Sequence, residues 1–323
     1  MESQGSATTE RSIAAGGFGL ASLGMVIYSF TFPATVFALD GFDPYLIGIG
    51  RAGIASVLAA IALLAVRARP PRRRDLGGLL LVGAGVVFGF PVLTTLALDR
   101  GASSGHAAVV IGLLPAATAV FAVLRAGERP SGGFWLAAAA GAACVTGFTL
   151  VQGAGRATPA DLLLFGALIA AAVGYTEGGR LARAMPGWRV ISWALLLTVP
   201  ATVPLTAWLY ATTGPQWTGR SALGLGYVAV FSAYLGFFAW YAGLARAGIA
   251  RAGQVQLAQP VLTLVWSALL LAEPVGLATA AGAVGVLVCV ALTQRTRVRR
   301  EGAPALASCD TFAHDGRESV TTP

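Results

Sequence analysis

Residues 111–130 read IGLLPAATAVFAVLRAGERP, and residues 256–275 read QLAQPVLTLVWSALLLAEPV. Each stretch has a proline near its start and a glutamate thirteen residues later: Pro115 and Glu128 in one, Pro260 and Glu273 in the other. The two copies lie 145 positions apart. A second proline follows each glutamate (Pro130, Pro274), and then comes a small-residue stretch holding Gly141 or Gly285. The text is apolar in both copies, and each puts a proline inside what reads as a helix.

The rest of the chain is equally apolar. Hydrophobic residues make up 56% and charged residues 11%, with a mean hydropathy of +0.74. Soluble domains carry about 25% charged residues, so this composition cannot tile a water-facing surface and points to a membrane. The charges act as punctuation. Between them lie eight runs of 21 to 30 uncharged residues, and about 20 suffice to cross about 30 Å of hydrocarbon. Two more apolar segments are interrupted, 44–66 by Arg51 and 162–182 by Glu177 and Arg180. The expectation is an all-α polytopic membrane protein of ten transmembrane helices, near 12–38, 44–66, 76–97, 102–124, 131–152, 161–183, 189–212, 221–244, 250–271 and 274–294. Residues 1–11 read as a cytoplasmic tail and 295–323 as a disordered cytoplasmic tail, too polar to order themselves.

The net charge of +8 comes with 22 basic residues, all of them arginine. With the N-terminus inside, 18 arginines fall in the tails and inner loops and three (Arg100, Arg156, Arg220) in outer loops. This bias is the positive-inside rule and expects both termini in the cytoplasm. The basicity is therefore topological and does not point to nucleic acid. The three cysteines show no metal or disulfide spacing, and no cofactor motif is present. GIGRAG at 48–53 matches a dinucleotide fingerprint in letters only, since it lies within a span and no strand precedes it. Its glycines, like the Gly85/Gly89 and Gly174/Gly178 pairs, read as sites of close helix approach.

A repeat of 145 residues holds five helices. Five is odd, so two copies in one chain must run in opposite directions across the membrane. The division expected is 12–152 and 153–294. Inverted repeats are a signature of secondary transporters, with the solute site near the midplane where the halves meet.

The chain resembles the drug/metabolite transporter superfamily, in particular its ten-helix permeases with two EamA domains. The resemblance covers about 12–294. It rests on the paired Pro115–Glu128 and Pro260–Glu273 units, on the arginine in LIGIGRAGIASVLAA, and on FFAWYAGLARAGIARAG at 237–253. It implies a bacterial inner-membrane permease for small organic solutes (a metabolite, an amino-acid-like compound or a drug), an exporter more than an importer, working by alternating access. Glu128 and Glu273 are family-motif positions, and each reads structurally as a carboxylate ahead of the following helix, complementing its dipole.

The candidate cavity residues are Tyr28, Thr94, Tyr175, Tyr234, Trp240, Gln256, Gln259 and Thr263. Gln256, Gln259, Thr263 and Ser267 share one helical face at spacings of 3, 4 and 4. Such a polar stripe either glues helices or lines a cavity. Pro115 and Pro260 are candidate helix breaks, either packing kinks or pathway-lining discontinuities. Arg51, His106 and Glu177 are the intramembrane charge and coupling candidates. Arg51 reads either as a structural cation or as an anion binder, Glu177 either as a local partner of Arg180 or as a proton-coupling group, and His106 either as a hydrogen-bonded structural group or as a titrating one. The partners expected are a small solute and the lipid bilayer, with the proton as candidate coupling ion; the oligomeric state is not legible. The rival readings are a membrane-embedded enzyme, such as a lipid-modifying transferase, and a channel. The first lacks the clustered histidines or paired acids such enzymes use.

Overall fold

The computed structural model describes residues 2–126, 129–130, 132–152, 157–247, 255–256, 258–295 and 298–299. The helices are numbered here in chain order. α1 comprises Glu2–Ser29 and Thr31–Leu39, broken at Phe30, and runs back through the segment read as a tail. α2 is Pro44–Ala65, and α3 is Arg73–Asp99 with a π-helical stretch at Gly83–Gly89. α4 comprises Ser104–Ile111 and Leu114–Ala126, and α5 is Gly132–Gln152. α6 is Pro159–Leu181 and α7 is Gly187–Thr213. α8 joins Gly219–Tyr227, a π-helical Val228–Leu235 and Gly236–Ala247. α9 is Ala258–Leu271 and α10 is Leu277–Arg295. A two-residue antiparallel pairing joins Arg129–Pro130 to Val298–Arg299. Among the described residues, six helices are long and apolar enough to cross a membrane; Ser104–Thr118, Trp135–Phe148, Ala258–Leu271 and Leu277–Cys289 are shorter apolar helices. Beyond Arg295 only Val298–Arg299 is described, so the tail expected at 295–323 otherwise lies outside the described residues.

The helices start where local chemistry satisfies their free N–H groups. The Asp43 carboxylate accepts from the Tyr45 and Leu46 N–H groups with Pro44 in the first turn, and Thr158 and Asp161 form a reciprocal capping box at α6. Side chains such as Leu64, Leu136, Leu223 and Leu277 stay exposed, as a lipid-facing surface requires. The helix contacts repeat when the halves are exchanged. α1 packs on α8 as α6 packs on α3, and α4 meets α6 as α9 meets α1. α2 pairs with α7, α4 with α9, and α5 with α10, each helix with its own counterpart.

Glycine makes the closest approaches. A Cβ on Gly85 would lie 2.9 Å from the Gly174 backbone nitrogen, and one on Gly89 would lie 2.8 Å from the Ala170 methyl, so Gly85, Gly89 and Gly174 form the α3–α6 crossing, while Gly178 lies against Tyr241 of α8. The matching α1–α8 crossing uses Gly243, whose Cβ would lie 2.6 Å from the Ala21 nitrogen. Gly48 of GIGRAG sits against the Val92 backbone, in the packing role expected of it.

Candidate functional site

The two π-helical stretches begin at Gly83 and Val228, 145 positions apart, the period of the sequence repeat. π-bulges concentrate at functional sites, and here both border one cavity. That cavity is lined by Tyr28, Thr31, Arg51, Val86, Phe90, Ile111, Leu114, Tyr175, Ser232, Phe237 and Gln259, drawn from α1, α2, α3, α4, α6, α8 and α9. Most of its wall comes in pairs at nearly the repeat period: Tyr28 with Tyr175, Phe90 with Phe237, Val86 with Ser232, Leu114 with Gln259. Only about 20 Å³ is open to a water-sized sphere, about the room one water needs.

A polar chain crosses the cavity. The Arg51 side chain is buried, at 3% exposure. Its Nη2 donates to Ser232 Oγ at 3.1 Å, and Ser232 Oγ lies 2.9 Å from Thr31 Oγ1. Arg51 Nε and the Tyr28 hydroxyl are buried with no hydrogen-bond partner. Edge-on aromatic contacts hold the wall, Tyr28 against Phe237 at 5.4 Å and Tyr175 against Phe237 at 6.1 Å.

Of the residues expected in the cavity, Tyr28, Tyr175 and Gln259 line it, as does Arg51 from the charge candidates. The others are placed elsewhere. Thr94 returns its hydroxyl to the Phe90 carbonyl, Tyr234 bonds Ser192 at 2.9 Å, and Trp240 packs behind Tyr28 at 6.3 Å. Gln256 is buried outside the lining with Nε2 unpartnered. Thr263 donates to the Ser29 carbonyl at 2.9 Å and Trp266 Nε1 to Ser29 Oγ at 3.0 Å, where α1 is broken. The stripe on α9 is thus divided, with Gln259 on the cavity and Thr263 stitching α9 to α1.

α4 breaks at Gly112–Leu113 and resumes with Pro115 in the first turn, where a proline sacrifices no hydrogen bond. Pro260 lies in the N-terminal part of α9, after helical Val255 and Gln256. The two points meet: a Cβ on Gly112 would lie 3.0 Å from Pro260 Cγ.

Glu273 does not cap the helix that follows it. Its two oxygens accept from the Ser104 and Gly105 N–H groups at 3.1 and 3.2 Å, so it caps α4 of the other half. Ala272, at φ 52°, turns the chain to aim it. Glu128 lies outside the described residues. Glu177 accepts from Arg180 Nε at 2.9 Å, and Arg180 rests against Gly78 beside the Arg67–Arg74 loop. His106 Nε2 sits 2.7 Å from Asp161 Oδ1, both side chains buried.

Sequence reasoning missed Thr31, Ser232 and Asp161. Ser232 stands alone in VAVFSAYL and looks like packing; only the π-stretch turns it inward. A cleft of about 580 Å³ lies at the arginine-rich end, lined by the 182–188 turn, Phe238, Ala242 and Arg246. It is open, belongs to one half and gathers no buried polar group, so the closed cavity is the better site. Among the described residues no metal-ligating cluster is present.

The EamA-like transporter family matches this chain twice, over residues 15–150 and 158–295. The chain is 45% identical over 276 residues, 84% of its length and 95% of the relative's, to the uncharacterized transporter YdeK of Bacillus subtilis (strain 168). It is 27% identical over 289 residues to a probable terminal-alkyne amino-acid exporter of Streptantibioticus cattleyicolor, covering 87% of this chain and 94% of that one. A solved chain described as "Crystal structure of protein" shares the fold at a TM-score of 0.59 and 19% identity, over 86% of this chain and 98% of that one.

Proposed function

The chain belongs to the EamA-like transporter family, and we propose that it is a ten-helix inner-membrane secondary transporter. Its two inverted repeats, 12–152 and 153–294, export a small organic solute by alternating access. The family and both relatives are transporters rather than enzymes. The observation that carries the proposal is the pairing of discontinuities. π-stretches and the prolines Pro115 and Pro260 recur 145 positions apart, and the stretches border one cavity. Two similar halves give outward-open and inward-open forms of comparable energy, and paired irregular helices point to the transport site. The arginine bias supports cytoplasmic termini. The amino-acid exporter among the relatives favours an amino-acid-like solute and the outward direction.

Proton coupling is assigned to His106 with Asp161, which join the N-terminal ends of α4 and α6. The reading is tested by counterflow of labelled L-leucine and other amino acids in proteoliposomes, with and without a pH gradient. Saturable exchange is expected, stimulated by the gradient, and His106→Gln should remove the stimulation while counterflow persists. Flux that never saturates and ignores counter-solute would indicate a channel.

A further inference from the structure

We propose that Arg51 is the anchor for a carboxylate on the solute, and that the site selects compact carboxylates with an apolar side group over amides and cations. This rests on the transporter reading above and names its substrate class. Arg51 is the eighth residue of α2 and lines the cavity from within the bundle. A guanidinium carries five N–H donors in a planar fork that matches a carboxylate. Here one hydrogen bond to a neutral hydroxyl is made, to Ser232, and Nε has none. Among the described residues no carboxylate pairs with Arg51, although Arg74, Arg180 and Arg220 each have one. A buried cation without a counter-charge is costly, so the empty side of the fork suits an arriving anion. The Tyr28 hydroxyl, also unpartnered, and Thr31 border the same space.

The opposite charge finds no such reception. Among the described residues no acidic side chain lines the cavity; Gln259 and ring faces are what an ammonium would meet. Phe90 and Phe237 make an apolar wall for the rest of the solute. A zwitterion can therefore enter on its carboxylate, and a simple carboxylate does as well, whereas a solute whose only charge is positive faces Arg51 directly. The positions 145 to 147 residues later are Leu196, Leu197 and Thr198, none of them charged, so the second half supplies no matching anion pole.

The experiment is ligand-dependent thermal unfolding of the purified full-length protein with four probes: L-leucine, 4-methylpentanoate, L-leucinamide and chloride. Leucine and 4-methylpentanoate should stabilise, and leucinamide and chloride should not. Arg51→Gln should weaken the two acids roughly 30-fold or more, the scale for removing one partner of a buried charge pair, and Arg51→Lys should fall between. Equal stabilisation by leucine and leucinamide, no stabilisation by either acid, stabilisation by chloride alone, or an acid preference intact in Arg51→Gln would each overturn the assignment. The acid–amide comparison on the unaltered protein decides even if Arg51→Gln does not fold. Acid-selective binding without counterflow would count against the transport reading and leave the Arg51 assignment standing. Counterflow that treats acid and amide alike would do the reverse.

Discussion

The two halves share their crossings and differ in the residues that face the cavity. α3 meets α6 through Gly85 and Gly174, and α1 meets α8 through Gly243 and Ala21. Both halves carry a π-stretch and a helical proline at the same offset. At the cavity the correspondence loosens. Leu114 corresponds to Gln259, Val86 corresponds to Ser232, and Arg51 has an uncharged counterpart among Leu196, Leu197 and Thr198. In the proposed alternating-access mechanism backbone symmetry supplies two access states of similar energy, whereas recognition of an asymmetric solute needs different side chains on its two sides. Symmetry is therefore kept in the backbone and in the aromatic pairs Tyr28/Tyr175 and Phe90/Phe237, and broken at the polar side chains of the cavity, Arg51, Ser232 and Gln259.

The sharpest way to break this comparison is at the crossings. Gly85→Ala and Gly243→Ala should each destabilise by about 1–3 kcal/mol, since each Cβ meets backbone that cannot swing aside. Gly77→Ala, with nothing within 4 Å, is the control. Thermal unfolding in detergent checks all three, and a harmless Gly243→Ala would mean that only one crossing is tight.

Gln259→Leu makes the second half resemble the first at the Leu114 position. It should lower exchange about tenfold, roughly 1.4 kcal/mol of lost interaction, with expression unchanged. Gln256→Leu, outside the cavity, should affect exchange far less, and the reverse order would move the solute to the other side of α9.

Glu273→Ala should cost about 1 kcal/mol, the worth of a cap at a helix N-terminus, while Glu273→Gln, which keeps one acceptor, should cost less. Unfolding temperature reads both. The smallest effect concerns the turn that aims Glu273. Ala272 is left-handed, and the residue 145 positions earlier is Gly127. Ala272→Gly should stabilise by about 0.5 kcal/mol through relief of that conformation, partly offset by the greater freedom of the unfolded chain. A clear loss would show that the αL turn is not strained.

Helix positions were largely legible because crossing a membrane demands length and apolarity, which are local properties. The expected 44–66, 131–152 and 189–212 became Pro44–Ala65, Gly132–Gln152 and Gly187–Thr213. Part of the site was legible for a related reason. A charge such as Arg51, or a polar stripe such as that on α9, is conspicuous in apolar text. Ser232 and Thr31 were hidden because a lone hydroxyl in a span usually returns to its own helix, as Thr94 does to Phe90. Asp161 carries no signal of its own in the sequence, since its contact with His106 joins residues 55 positions apart.

The sequence by itself determined that this chain is a membrane protein, that it is built twice, and where its helices run. Those conclusions follow from hydrophobic length, charge placement and a repeated motif, all readable one segment at a time. Only the tertiary structure decided which helix Glu273 caps, which face of α9 meets the cavity, and that Arg51 has no carboxylate beside it. Each of these depends on which side chains two distant helices bring within hydrogen-bond range. That is fixed by crossing geometry at a few glycines, and periodicity along one helix carries no information about it.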